Sequence, residues 1–499
     1  MGLIIRQSLK ASISNYIGLL IGYFNALILM PKIFSPAEVG ISRFVIDVSG
    51  VLAGFASFGI SYSLSRYFPK FKSSKDTFHN GFTFWAYVIP VVGFAMLCVV
   101  LLIAGPAILN LLKDGGSNTT NYIHIIIPLT ITMLFTIVTE HYCALFGRIV
   151  VVNIFRENGL RIINLILLLL AFNGIIDFDF FLVLLLFSYL LVLLADIIYL
   201  YSINKLNFKP DFKFIKQNPD IKNDFFSFSG IILIGSFAPL IITRSDYFSV
   251  SHIGGDISLG IYSVALSIAI MTELPKRVIL PVLQPVISDL IHKKNKTKLY
   301  ETVNKGNINQ TLIGMSIVLV IWFNIDSIYT IMPNGNLYKS GKILILILSI
   351  GKLFELYSII PSTIINYSSY FKWNLYISII CLFATLITYK VAVPVWGVAG
   401  TAIGVSTGYI IFAIINLLVI FYFEKMNWLN KEFIKMALIF IIMLIFNFFL
   451  PNFNNLWLNV FVRSLILMLI FCIIVFKLKI SEDLNKTVIQ LLKGKFRWF

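Results

Sequence analysis

Fourteen long apolar runs follow one another along this chain, separated by short polar breaks. Their limits are 12–31, 41–65, 82–104, 122–146, 160–176, 180–202, 225–250, 258–288, 308–332, 343–367, 373–391, 396–423, 433–451 and 457–476. A helix needs about 20 largely apolar residues to cross a bilayer. Within lipid, backbone donors and acceptors must be satisfied inside the element, so such runs are helices. The expected fold is an all-α integral membrane protein with fourteen transmembrane helices. With 58% hydrophobic and 13% charged residues, the 499-residue chain has far more apolar surface than one soluble core can bury.

The net charge of +17 would suggest nucleic acid in a soluble protein. Here it is first a matter of topology. With the N-terminus placed in the cytoplasm, twenty-nine Lys and Arg fall in inner segments, Arg148, Arg156 and Arg161 among them. Five fall in outer loops, and the other six of the forty lie within runs. That asymmetry is the positive-inside signature, with both termini cytoplasmic, and anionic lipid accounts for the basic charge without nucleic acid. MGLIIRQSLK carries no cleavable signal pattern, so the first run stays as a span. The tail KLKISEDLNKTVIQLLKGKFRWF (477–499) suits an amphipathic helix on the inner leaflet. Cys98, Cys143, Cys381 and Cys472 all sit in apolar runs without a CxxC, which suggests neither a disulfide framework nor a zinc site.

The chain repeats itself. VGISRFVIDVSG (39–50) opens the second run and LGIYSVALSIAI (259–270) opens the eighth, 220 residues and six runs later. ALFGRIVVVN (144–153) and NYSSYFKWNL (366–375) form a looser pair at a similar offset. Two parallel six-helix lobes (1–215 and 216–428), an added pair (429–478) and a cytoplasmic tail (479–499) follow from this. Transporters built so hold their substrate between the halves, near the midplane.

Ionisable residues inside spans are functional candidates. TELPKRVILPVLQP (272–285) places Glu273, Lys276 and Arg277 among three prolines in the eighth run. Glu273 shares a helix face with both Lys276 (i,i+3) and Arg277 (i,i+4), yet one acid cannot neutralise two cations. Proline there indicates an irregular helix, tolerated where it lines a cavity or is buried in protein. Lys352 and Glu355 are an i,i+3 pair in the tenth run, and Arg43 and Asp47 an i,i+4 pair in the second. Arg244 and Asp246 lie in the seventh, Glu140 in the fourth and Asp196 in the sixth. Acids slightly outnumber bases, so a cationic cavity depends on which side chains face inward.

Other chemistry is missing. KSGK (339–342) lacks the spacing of a phosphate loop. Asp177 and Asp179 read as a solvated turn, and no metal-ligand spacing occurs around the five histidines. The outer loops, of which 105–121 is the longest, are too short for an extracytoplasmic catalytic domain. No cofactor is expected, and the chain is not expected to be an enzyme.

SPAEVGISRF (35–44), FGISYSLSRYFP (58–69), GIYSVALSIA and PVWGVAGTAIGVSTGYII (394–411) resemble polysaccharide transporters of the multidrug/oligosaccharidyl-lipid/polysaccharide exporter superfamily, which include the bacterial O-antigen and capsule flippases. The resemblance implies two six-helix lobes working by alternating access. It implies an undecaprenyl-diphosphate-linked oligosaccharide as substrate, moved from the inner to the outer leaflet of the bacterial inner membrane. It also implies membrane lipids and polysaccharide assembly proteins as partners, and a monomer. Related flippases place cations in the first span, where this chain offers Asn15, Tyr16 and Asn25. Lys276, Arg277 and Arg43 fit the family's cationic helices, with Arg244 and Lys352 as further candidates to hold the diphosphate. Glu273, Asp47, Asp246, Glu355 and Glu140 are their charge partners. A drug or cation antiporter of the same superfamily, working through Asp47 or Glu140, is the alternative transporter; a polysaccharide polymerase or membrane glycosyltransferase is the alternative enzyme.

Overall fold

The computed structural model describes residues 18–57, 81–114, 118–146, 149–203, 208–211, 245–428 and 430–481, with a few single positions between 59 and 71 and Asn485. Every regular element among the described residues is helical. In chain order the longer ones are α1 (Gly18–Ile33), α2 (Pro36–Ala56), α3 (Phe82–Asp114), α4 (Ile123–Leu145), α5 (149–172), α6 (Phe178–Ser202), α7 (Ser245–His292), α8 (Lys296–Phe323), α9 (Lys342–Tyr367), α10 (Trp373–Trp396), α11 (Val398–Glu424), α12 (Lys431–Phe446) and α13 (Leu456–Lys477). Eleven helices among the described residues are long and apolar enough to cross a membrane; α1 is a shorter apolar helix. Most of the seventh run, the start of the first and the amphipathic tail lie outside the described residues.

Local sequence sets the helix starts. Ser35 accepts from the Glu38 backbone N–H while the Glu38 carboxylate accepts from Ser35, a capping box ahead of Pro36. Asp177, Asn295, Asn430 and Asn455 cap α6, α8, α12 and α13 through their side chains. Asp177 of the DFD stretch is thus a cap, and Asp179 accepts from the Tyr122 hydroxyl at 2.9 Å. The turn between α5 and α6 falls at Asn173–Gly174. Large apolar side chains stay exposed along α3, α6, α10, α12 and α13, as lipid-facing helices require.

Two sequence expectations are corrected. The first part of the 105–121 stretch is not a loop: α3 continues to Asp114, because apolar PAILNLL carries the helical pattern onward. Arg156 and Arg161 do not lie in an inner loop either. They belong to α5, in which a π turn at Phe155–Gly159 joins Ile149–Ile154 to Leu160–Phe172.

The chain divides into two compact units, Met1–Ser263 and Val264–Phe499. Within the first, α2 crosses α7 at bare backbone near Gly260. A Cβ on Gly40 would sit 2.5 Å from the Gly260 nitrogen and 2.7 Å from the Asp256 carbonyl oxygen, and a Cβ on Gly260 would strike the Pro36 carbonyl. Gly40 and Gly260, like Pro36 and Asp256, are 220 residues apart. The sequence repeat is therefore expressed as a crossing in which equivalent positions make reciprocal contacts. Gly255 (φ +62°) supplies one left-handed residue within α7, shortly before this crossing.

In the second unit, α8 and α9 pack against the part of α7 after Ser263, and α11 packs on α9 and α10. Polar contacts tie the α12–α13 pair to the C-cap of α8 and the short helix Ile325–Ile331 after it, and tie the pair to its own connection. Asn324 donates to Ser464 at 2.9 Å, Asn459 to Ser327 at 3.0 Å, and buried Arg463 donates to Asn447 at 2.6 Å and to Asn452.

Candidate functional site

The TELPKRVILPVLQP stretch begins in a 3-10 turn, Ile270–Glu273, and resumes as α-helix from Leu274 to His292. Pro275 sits in the first turn of that segment, where its missing N–H is harmless, and the helix runs through Pro281 and Pro285 without ending. In the part of α7 after its left-handed Gly255, Glu273 is about equally far from Gly255 and His292, so these charges lie near the middle of that segment.

Lys276 turns inward and Arg277, the next residue, points outward; successive helical residues differ by about 100°. Lys276 Nζ lies 3.1 Å from Glu273 and 2.7 Å from Glu355 on α9. Lys352 Nζ lies 3.0 Å from Glu355 and 2.5 Å from Glu273. Each lysine therefore touches both glutamates, and each glutamate both lysines. Lys352 also donates to the Tyr409 hydroxyl of α11 at 2.7 Å. This closed ring on two helices is neutral, and its members are mostly buried, from 9% exposed at Lys352 to 22% at Lys276.

The excess cation expected on the eighth run is thus removed from the helix interior. Glu355 supplies the second acid, and Glu273 pairs with Lys276 and Lys352 rather than with Arg277. Arg277 is exposed and makes no ion pair among the described residues.

The first unit holds a different arrangement. Arg156 reaches from the π turn to Glu140 Oε2 at 2.5 Å and to Glu157 at 3.4 Å, and Arg161 holds Glu157 at 2.5 Å. Asn25 of α1 donates to the Arg161 carbonyl at 2.9 Å. Arg43 approaches Asp47 at 3.7 Å with its side chain 38% exposed. Asp246 accepts from the Tyr262 hydroxyl at 2.7 Å and the Tyr247 N–H at 2.9 Å. Arg244 lies outside the described residues. Sequence reasoning missed Arg156, Glu157, Arg161 and Tyr409. Glu157–Arg161 at i,i+4 behind the apolar IVVVNIF was the available signal for the first three; nothing in the sequence singled out Tyr409.

Among the described residues no three His, Cys, Asp or Glu side chains gather as a metal site. Chemically, the second unit offers a reserve of two lysines held by two acids, beside one uncommitted guanidinium.

Residues 5–291, more than half of the chain, match the family described as polysaccharide biosynthesis protein. The chain belongs to that family. Residues 232–391 also match the MatE family. An uncharacterized membrane protein of Methanocaldococcus jannaschii is 24% identical over 458 residues, 89% of each chain. Capsular polysaccharide biosynthesis protein CapF of Staphylococcus aureus is 27% identical over 171 residues, 34% of this chain and 42% of that one. Among solved structures, lipid II flippase MurJ in an inward closed conformation superposes with a TM-score of 0.73 at 16% identity, covering 95% of this chain and 100% of MurJ. An inward-facing multidrug resistance MATE family transporter of the MOP superfamily gives 0.57 at 15% identity, covering 82% and 97%. These similarities place the helices in the fold shared by those transporters.

Proposed function

We propose that this protein is a flippase that moves undecaprenyl-diphosphate-linked oligosaccharide from the inner to the outer leaflet of a bacterial inner membrane, for O-antigen or capsule synthesis. Family membership and the MurJ-like fold support transport of a lipid-linked substrate over catalysis. The observation that carries the reading is the pairing of a neutral Lys–Glu ring with an exposed, unpaired Arg277 at mid-helix. An unpaired cation at that depth is costly in lipid, which argues for a wet, anion-facing position.

Arg277 meets the diphosphate first, as a planar donor fork suited to phosphate oxygens. Lys276, the more open of the two lysines, then exchanges a glutamate for phosphate. Glu273 and Glu355 hold the lysines when no substrate is present, so the empty protein buries no unpaired charge. The lipid tail stays in the bilayer. Lys352, held on Tyr409, positions the two glutamates, while Arg43 of the first lobe and Arg244 of the second are auxiliary cations. Replacing Arg277 by Ala abolishes surface polysaccharide export in cells that depend on this chain, at normal protein level, and Arg277→Lys restores part of it. Wild-type export by Arg277→Ala would overturn the assignment.

A further inference from the structure

Asp196 differs from the other acids described in these helices. It lies on α6, is fully buried, and neither of its carboxyl oxygens has a hydrogen-bond partner. Its electrostatic neighbours come from each element packed around it: Glu140 and Cys143 from α4, Tyr87 from α3 and Arg156 from the π turn of α5. None of them pairs with it. Arg156 is engaged by Glu140 and Glu157, and the Tyr87 hydroxyl by Thr139 at 2.9 Å. Glu140 Oε1 is likewise buried without a partner. Two acids and three orphaned oxygens therefore share the reach of one guanidinium.

An ionised carboxylate buried without a partner costs several kcal/mol, and such a group takes up a proton instead. One negative charge, on Glu140, is matched by Arg156; the second acid is left to be neutral. A metal ion would need more oxygen ligands than these two carboxylates supply. We propose that Asp196 is a proton-binding site. It carries a proton while α3, α4 and α6 are packed as here, and releases it to water when rearrangement of these helices opens the pocket. Only the O–H bond is made and broken, with water as donor and acceptor. Resting on the flippase reading, this makes the transport cycle responsive to a proton gradient through the first unit, remote in sequence from the phosphate-binding residues.

The test is infrared difference spectroscopy of the purified full chain at neutral pH, wild type against Asp196→Asn. The expected result is the C=O band of a protonated carboxylic acid, shifted in heavy water and absent from the variant. The amide imitates the neutral acid, so Asp196→Asn is expected to keep the wild-type thermal midpoint. Its export no longer responds when the pH gradient is collapsed, whereas wild-type export falls several-fold. Absence of the band, a variant that responds like wild type, or wild-type export that follows sodium instead of protons would each overturn the proposal. The spectrum needs no substrate, so its outcome stands apart from that of Arg277→Ala.

Discussion

The two units treat buried charge in opposite ways. In the second, Glu273, Lys276, Glu355 and Lys352 close a ring in which each charge has two opposite neighbours. In the first, Glu140, Arg156, Glu157 and Arg161 form an open string, and Asp196 beside it has no partner at all. A closed neutral ring is stable without a ligand and yields a lysine only in exchange for another anion. An open string with an orphaned acid changes state by a single proton. On the proposed reading, the difference teaches that one fold can hold an anion-exchange element and a protonation element in separate units.

The comparison is broken most strongly by opening the ring. Glu355→Ala leaves two lysines on one acid and is expected to cost about 3–5 kcal/mol of stability, read as a lowered thermal midpoint in detergent. The joint replacement Lys276→Met, Glu355→Leu removes a complete pair and is expected to restore most of that loss. If the single and double variants melt alike, the ring is not a unit. Gly260→Ala strikes the reciprocal crossing and is expected to cost about 3 kcal/mol, with Gly40→Ala close behind it. Unequal costs would argue that the repeat is not expressed at that contact. Arg156→Ala leaves Glu140 unpaired, but its guanidinium is partly exposed, so the expected cost is about 1–2 kcal/mol, smaller than for Glu355→Ala. Arg43→Ala, at 3.7 Å from Asp47 and half-exposed, is expected to change stability by under about 0.5 kcal/mol.

Much of this was legible in the sequence. Helix class and order followed from apolar run length, and the 220-residue repeat surfaced as Gly40 against Gly260. The spacings of Lys352–Glu355 and Glu273–Lys276 are those of the observed pairs, because i,i+3 neighbours share a face in any helix. The ring itself was not legible. It needs Lys352 and Glu355 of α9 brought to Glu273 and Lys276 of α7, and helix-to-helix facing has no local signature. Arg156 and Arg161 were misplaced because a polar FRENG segment looks like a loop, whereas its charges are satisfied inside a π turn by Glu140 and by each other. Asp196 was visible as an intramembrane acid; that it lacks a partner is a property of packing alone.

The central claim is that Arg277 and Lys276 receive a lipid-linked diphosphate. It is tested most directly by equilibrium binding of a short polyprenyl diphosphate to the purified protein, with the corresponding alcohol as control. The account predicts binding that requires the diphosphate and weakens at least about tenfold, or ~1.4 kcal/mol, in Arg277→Ala, with Arg277→Lys intermediate. Equal affinity of wild type and Arg277→Ala for the diphosphate would contradict it.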